Sequence, residues 1–166
     1  MRPLIKSLVL LIAASLLAGC SFHLRGQAGM PFETLYLDTD NPNTPFIKEL
    51  RQNLEANKVE LVSTAEKADV VLDIVSEIPG KQILSLSGSG RVNEFQLFYR
   101  VSVRAYNLDH PDLVPAQEFV MQRDFPFDDN HVLAMEAEEN LLYQSMRSDM
   151  VQRIVRRLSR INLKPQ

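Results

Sequence analysis

Cys20 is the residue of this chain best placed to do chemistry, and it is the only cysteine among 166 residues. An apolar run, Leu8 to Leu17, ends just before Ala18-Gly19-Cys20. A lone cysteine makes no internal disulfide, and an exposed free thiol in an oxidising compartment is a liability. Small residues ahead of a thiol nucleophile give a peptidase access to the bond before it. The spacing therefore points to a thiol that is modified and a chain that is cut in front of it.

The residues before Cys20 support that chemistry. Arg2 and Lys6 supply a positive start, and Leu8 to Leu17 are ten residues, where a membrane-spanning helix needs about 20. The run fits a cleaved export signal, residues 1–19, better than a permanent anchor. Leu17-Ala18-Gly19-Cys20 resembles the bacterial lipobox. That resemblance implies diacylglycerol on the Cys20 sulfur and an acyl chain, such as palmitate, on the new amine. One chain binds a membrane only marginally, at roughly 0.8 kcal/mol per buried methylene, whereas three hold permanently. Ser21 stands where an Asp would retain the protein at the inner membrane, so the same resemblance implies outer-membrane sorting.

No other chemistry emerges. There is no Gly-x-Ser-x-Gly elbow, and Gly88-Ser89-Gly90 is too short to cradle a phosphate. Glu136, Glu138 and Glu139 read as a helix start, not an acid/base pair. His110 and His131 have no partner at metal spacing, and His23 lies beside the anchor. The expectation is a non-enzyme without cofactor or metal, carrying only acyl chains on Cys20. Without the signal, 147 residues remain, enough for one core. They hold 16 basic against 21 acidic side chains, a balance that argues against nucleic-acid binding. Arg147, Arg153, Arg156, Arg157, Arg160 and Lys164 crowd the C-terminus, where helix-dipole compensation explains them better than a lipid site.

The elements that must position these residues follow from periodicity. Residues 20–31, with Gly26, Gly29 and Pro31, read as a lipidated tether, and 32–166 as one domain. Glu33 to Asp38 is a short strand. Thr44 is a fit N-cap and Pro45 a fit first residue for a helix striped by Phe46, Ile47, Leu50 and Leu54, which Asn57 can end in a left-handed conformation. Val59 to Val62 reads as an extension of the following loop. Ala68 to Ile78 is a strand, broken or bulged at Pro79-Gly80, that resumes at Gln82 to Leu86 before the turn Ser85 to Gly90. Glu94 to Asn107 alternates cleanly, with Phe95, Leu97, Tyr99, Val101, Val103 and Ala105 on one face. Leu108 to Pro115 is a turn and Gln117 to Phe125 a further strand. Asp128, Asp129 and Asn130 offer caps for a long helix over His131 to Ser159. The order β-α-β-β-β-α predicts an α+β two-layer sandwich, with two helices on one face of a mixed four-stranded sheet.

Several segments together resemble the LptE family. They are Cys20-Ser21-Phe22-His23-Leu24-Arg25-Gly26 directly after the signal, Asn93-Glu94-Phe95-Gln96-Leu97 opening a strand, and Phe125-Pro126-Phe127-Asp128 before the last helix. Ser21 stands where Gly is commoner in the family. The resemblance implies a one-to-one partner, the LptD β-barrel, with this chain as plug in its lumen and assembly factor. The pair inserts lipopolysaccharide into the outer leaflet without covalent chemistry. It also implies lipopolysaccharide contact by a basic residue at the hairpin tip, for which Arg91 is the candidate. The family's second basic position falls on Met135. Arg100 and Arg104, on one strand face, could substitute, or be ordinary surface charges, or meet acids of the barrel lumen. Two other classes compete: a periplasm-facing lipoprotein accessory of another envelope lipid-transport system, and a lipid-anchored hydrolase.

The anchor yields a test. Cys20→Ala is expected to move the protein from the membrane to the soluble fraction with its thermal unfolding unchanged. A folded variant that stays membrane-bound on fractionation would contradict a lipid anchor at this residue.

Overall fold

A computed structural model describes residues 29–163; the signal, Cys20, His23 and the tether up to residue 28 lie outside them, as does Lys164. The order is β1 (Thr34–Asp38), α1 (Pro45–Ala56), β2 (Glu60–Leu61), a short 3-10 turn (Ala65–Lys67), β3 (Val70–Leu86), β4 (Val92–Tyr106), β5 (Val114–Pro126) and α2 (Val132–Leu158).

The α+β sandwich is as expected, but the mixed sheet has five strands, in the order β2-β1-β3-β4-β5. The added strand is the segment expected to be loop. Glu60 and Leu61 pair in parallel with Thr34 and Leu35, and two residues are too few to show an alternation in sequence. β1 also pairs in parallel with β3, while β3, β4 and β5 form an antiparallel meander. The parallel start is clamped by side chains. The Asp69 carboxylate accepts from the Glu33 and Thr34 amides at 3.0 and 2.9 Å, and the Asp69 amide donates to Thr34 Oγ1 at 2.8 Å. The backbone bond from Thr34, offset by desolvation, holds the Asp69 carboxyl below its usual range.

Four local readings differ. β3 runs unbroken for 17 residues, with Pro79 and Gly80 inside the ladder and register shifts only to either side, between Ile74 and Ser76 and from Ile83 onward. Beyond Asp73 β3 has left β1 behind and is a sheet edge, where proline is tolerated. Pro115 likewise lies within β5, the opposite edge. Asn57 ends α1 at φ −89°, and the left-handed residue is the next one, Lys58, at φ 64°. At α2 the N-cap is His131 with no side-chain cap bond, and no acid lies in the first turn.

The core lies between the helices and one sheet face. Phe46, Ile47, Leu50 and Leu54 of α1 and Met146, Met150, Ile154 and Leu158 of α2 pack with Leu35, Leu72, Leu97, Val101 and Phe125. Arg147 of α2 reaches Glu49 of α1 at 3.1 Å, and Gln152 reaches Asn53 at 2.7 Å. Burial thins along three of the long elements and persists on β5 to Phe125. Among described residues β3 has no buried side chain after Ile74, β4 none before Leu97, and α2 none before Met146. At roughly 3.3 Å per residue, β3 runs about 40 Å past Ile74, while buried Leu97 and Phe125 on the neighbouring strands, at the register of Lys81 and Ile83, carry the core along much of that length.

One polar group ties the base together. Thr44 caps α1 by accepting from the Ile47 amide at 3.2 Å, and its hydroxyl donates to Glu77 at 2.7 Å. The Tyr99 hydroxyl donates to the other Glu77 oxygen. Burial, with that bond, pushes the Tyr99 phenol well above its usual value. Thr44→Ala removes both contacts and is expected to lower stability by about 1–2 kcal/mol, read from urea unfolding. Thr44→Ser is expected to keep most of it.

Candidate functional site

The distal end is built by the β3–β4 turn and the loop before α2. Gly90 takes φ 78°, and the Gly90 amide donates to Ser87 O at 2.9 Å. The Ser87 amide donates to Arg91 O at 2.8 Å, closing the turn. Arg91 then reaches Asp129 at 3.2 Å, with side chains 72% and 51% exposed. The turn is thus fastened to the α2 loop, though a pair so exposed contributes only about 0–1 kcal/mol, which leaves the guanidinium free to exchange partners.

Arg100 is on the sheet face away from the helices, between Ile78 of β3 and Val120 of β5. Its guanidinium lies over the Phe98 ring at 4.6 Å from the centroid. Phe98 itself lies across Gly80, where an added Cβ would come within 2.4 Å of the ring. Gly80, Phe98 and Arg100 therefore form one stack, and a glycine in the ladder is what admits the ring. Among described residues Arg100 meets no carboxylate in an ion pair. Arg104 differs: it bonds Asp73 at 2.7 Å and lies over Tyr106. The hydrogen bond and charge of Asp73 push its already high pKa higher.

These three arginines do not form one clamp. At roughly 3.3 Å per residue, Arg100 is about 13 Å from Arg104 and about 30 Å from the turn that bears Arg91. Met135 is partly buried against the core cluster, a packing role in place of a phosphate contact. No group of three His, Cys, Asp or Glu among described residues is placed to hold a metal. His110 closes the turn after β4 through its amide, which donates to Asn107 Oδ1 at 2.7 Å.

The acids Asp128 and Asp129, expected as caps, instead organise the loop. Asp128 accepts from the Asn130 amide at 2.9 Å and the Asn130 side chain at 2.8 Å, and it meets His131 Nδ1 at 2.8 Å. Contacts missed by sequence reasoning include this knot, the Arg91–Asp129 pair, and Lys81–Glu139 at 2.7 Å. The last two link residues 38 and 58 positions apart. Short polar clusters such as Asp128-Asp129-Asn130 were the only available signal.

The solution structure of lipoprotein B from Nitrosomonas europaea superposes with a TM-score of 0.72 at 39% identity, over 83% of this chain and 90% of that one. Fold and likeness together define a small α+β lipoprotein of the bacterial envelope. The family model of LptE, described as lipopolysaccharide-assembly, matches residues 32–158. The LPS-assembly lipoprotein LptE of Pectobacterium atrosepticum is 31% identical, over 98% of this chain and 89% of that protein. The protein of the same name from Yersinia pestis is 34% identical, over 95% and 77%. The chain belongs to the LptE family, a non-enzymatic one.

The loop knot gives a pH prediction. The Asn130 amide, then His131 and the Asn130 side chain, hold the Asp128 carboxyl down to about 2 from an ordinary 3.8. A depressed folded value means the knot's stabilising effect is complete above the ordinary value and lost as pH falls through about 2. An NMR titration should place the Asp128 midpoint near 2; a midpoint at the ordinary value would mean the knot is open.

Proposed function

We propose that this protein acts in lipopolysaccharide assembly as the lipid-anchored, one-to-one partner of the LptD β-barrel at the outer membrane. Cys20 carries the lipid, residues 20–31 are the tether, and residues 32–166 form the domain that enters the barrel lumen from the periplasm. The single observation that carries this reading is family membership across nearly the whole described domain.

The shape agrees with it. A barrel lumen is polar, and the part of the domain that would reach furthest into it is a long three-stranded arm with a polar ladder on its outer sheet face. On the outer sheet face Gln82 bonds Gln96 at 3.1 Å, and Gln96 bonds Asp124 at 3.1 Å. Lipopolysaccharide phosphates would be met by arginine through charge-assisted bonds. Of the three candidates Arg100 needs no bond broken, Arg91 must loosen a weak pair, and Arg104 is held most firmly. Lipopolysaccharide contact is therefore assigned first to Arg100, next to Arg91 and last to Arg104. Plugging and routing a lipid need shape and charge, and no bond is made or broken.

Mild-detergent purification of the full chain should recover LptD in equal amount. Lipopolysaccharide carried by that complex is expected to fall several-fold in Arg100→Ala and to change little in Arg104→Ala. Recovery of inner-membrane partners alone would contradict the proposal.

A further inference from the structure

The first half of α2 is exposed in an unusual way. Leu133, Ala137 and Leu141 recur at i, i+4 and i+8, which puts them on one helix face. Leu133 is 83% exposed and Leu141 66%, while Met146 and Met150 further along are fully buried. Ala137 is exposed as well. The stripe thus points away from the sheet and packs on nothing. Leucines turned outward in a row gain from leaving water only if something covers them.

Charge decides what that is. Glu136 and Glu138 are exposed on the two flanks of the stripe. Lys81, the cation that reaches this half of the helix, is already bonded to Glu139. From Val132 to Ser145 the helix has no basic residue. Helices that lie on membranes carry Lys and Arg beside their apolar face, and here acids would meet anionic headgroups. A second copy is disfavoured too, because stripe-to-stripe contact would bring like-charged glutamates together. What remains complementary is a protein surface with an apolar groove and a basic rim.

We infer that the outward face of α2 around Leu133, Ala137 and Leu141 is a protein-docking surface that seats in an apolar groove rimmed by lysine or arginine. The inference rests on the barrel reading for the identity of the partner. It deepens that reading by naming the contact: this helix face meets protein wall, while the arginine-bearing sheet face stays open to lipopolysaccharide.

The test uses the full lipidated chain co-purified with LptD in mild detergent. Leu133→Ser with Leu141→Ser is expected to weaken the complex on the order of tenfold. Thermal unfolding of the free chain should not fall, since both side chains are exposed. Glu136→Gln with Glu138→Gln should flatten the salt dependence of the wild-type association. A double-serine variant that binds as tightly as wild type would overturn the docking surface and leave the barrel reading standing. A wild-type chain that takes no LptD overturns the barrel reading, and this inference with it.

Discussion

Everything distinctive here follows from where apolar burial ends. Two helices cover the sheet, but α1 is only 12 residues long and lies wholly over the base. The strands do not stop with it. β3 and β4 extend for several residues beyond their last buried positions there, Ile74 and Leu97, alongside β5, whose Phe125 stays buried next to its end, and the first half of α2. A three-stranded ribbon with one helix buries little apolar surface. The arm is held by the continuity of its strands with the base and by polar ties: Lys81 to Glu139, Arg91 to Asp129, and the Asp128 knot. Apolar contact there comes from buried Phe125 and from Phe95 and Phe127, 5.2 Å apart edge to face.

That division gives the two ends different work. The base has the density, the capped helix and the Thr44–Glu77–Tyr99 network, so it folds and stays folded. The arm exposes Ile78, Ile83, Leu84, Leu86, Leu133 and Leu141, more than a surface with no partner usually shows together. It is not a generic sticky end, because its charges are segregated. Arginine is stacked and ready on the outer sheet face, and acids flank the outward helix face. Under the proposed function, one arm would present a cation to an anionic lipid on one side and an apolar, acid-rimmed stripe to a protein on the other.

Much of the base was legible in the sequence. Alternation from Phe95 to Ala105 named the inward face correctly, and Thr44-Pro45 marked the start of α1 at the right residue. Each departure has a local cause. Glu60–Leu61 is too short for periodicity, and Pro79-Gly80 looks like a break unless the strand is known to be an edge. Asp128 and Asp129 have the chemistry of caps but found nearer donors in Asn130, His131 and Arg91. The candidate arginines were visible as residue types. Their readiness was not, because it depends on partners far along the chain: Asp73 lies 31 positions from Arg104, and Gly80 frees the space Phe98 needs under Arg100.

The central claim is that the arm is completed by a partner. Hydrogen exchange on the chain alone and in the proposed complex with LptD tests it most directly. The account predicts that the amides of Val132 to Ser145, and of the outer halves of β3 to β5, exchange fastest among the regular elements of the free protein and become the most protected in the complex. Protection that grows only at the base, or an arm already as slow as the base when free, would contradict it.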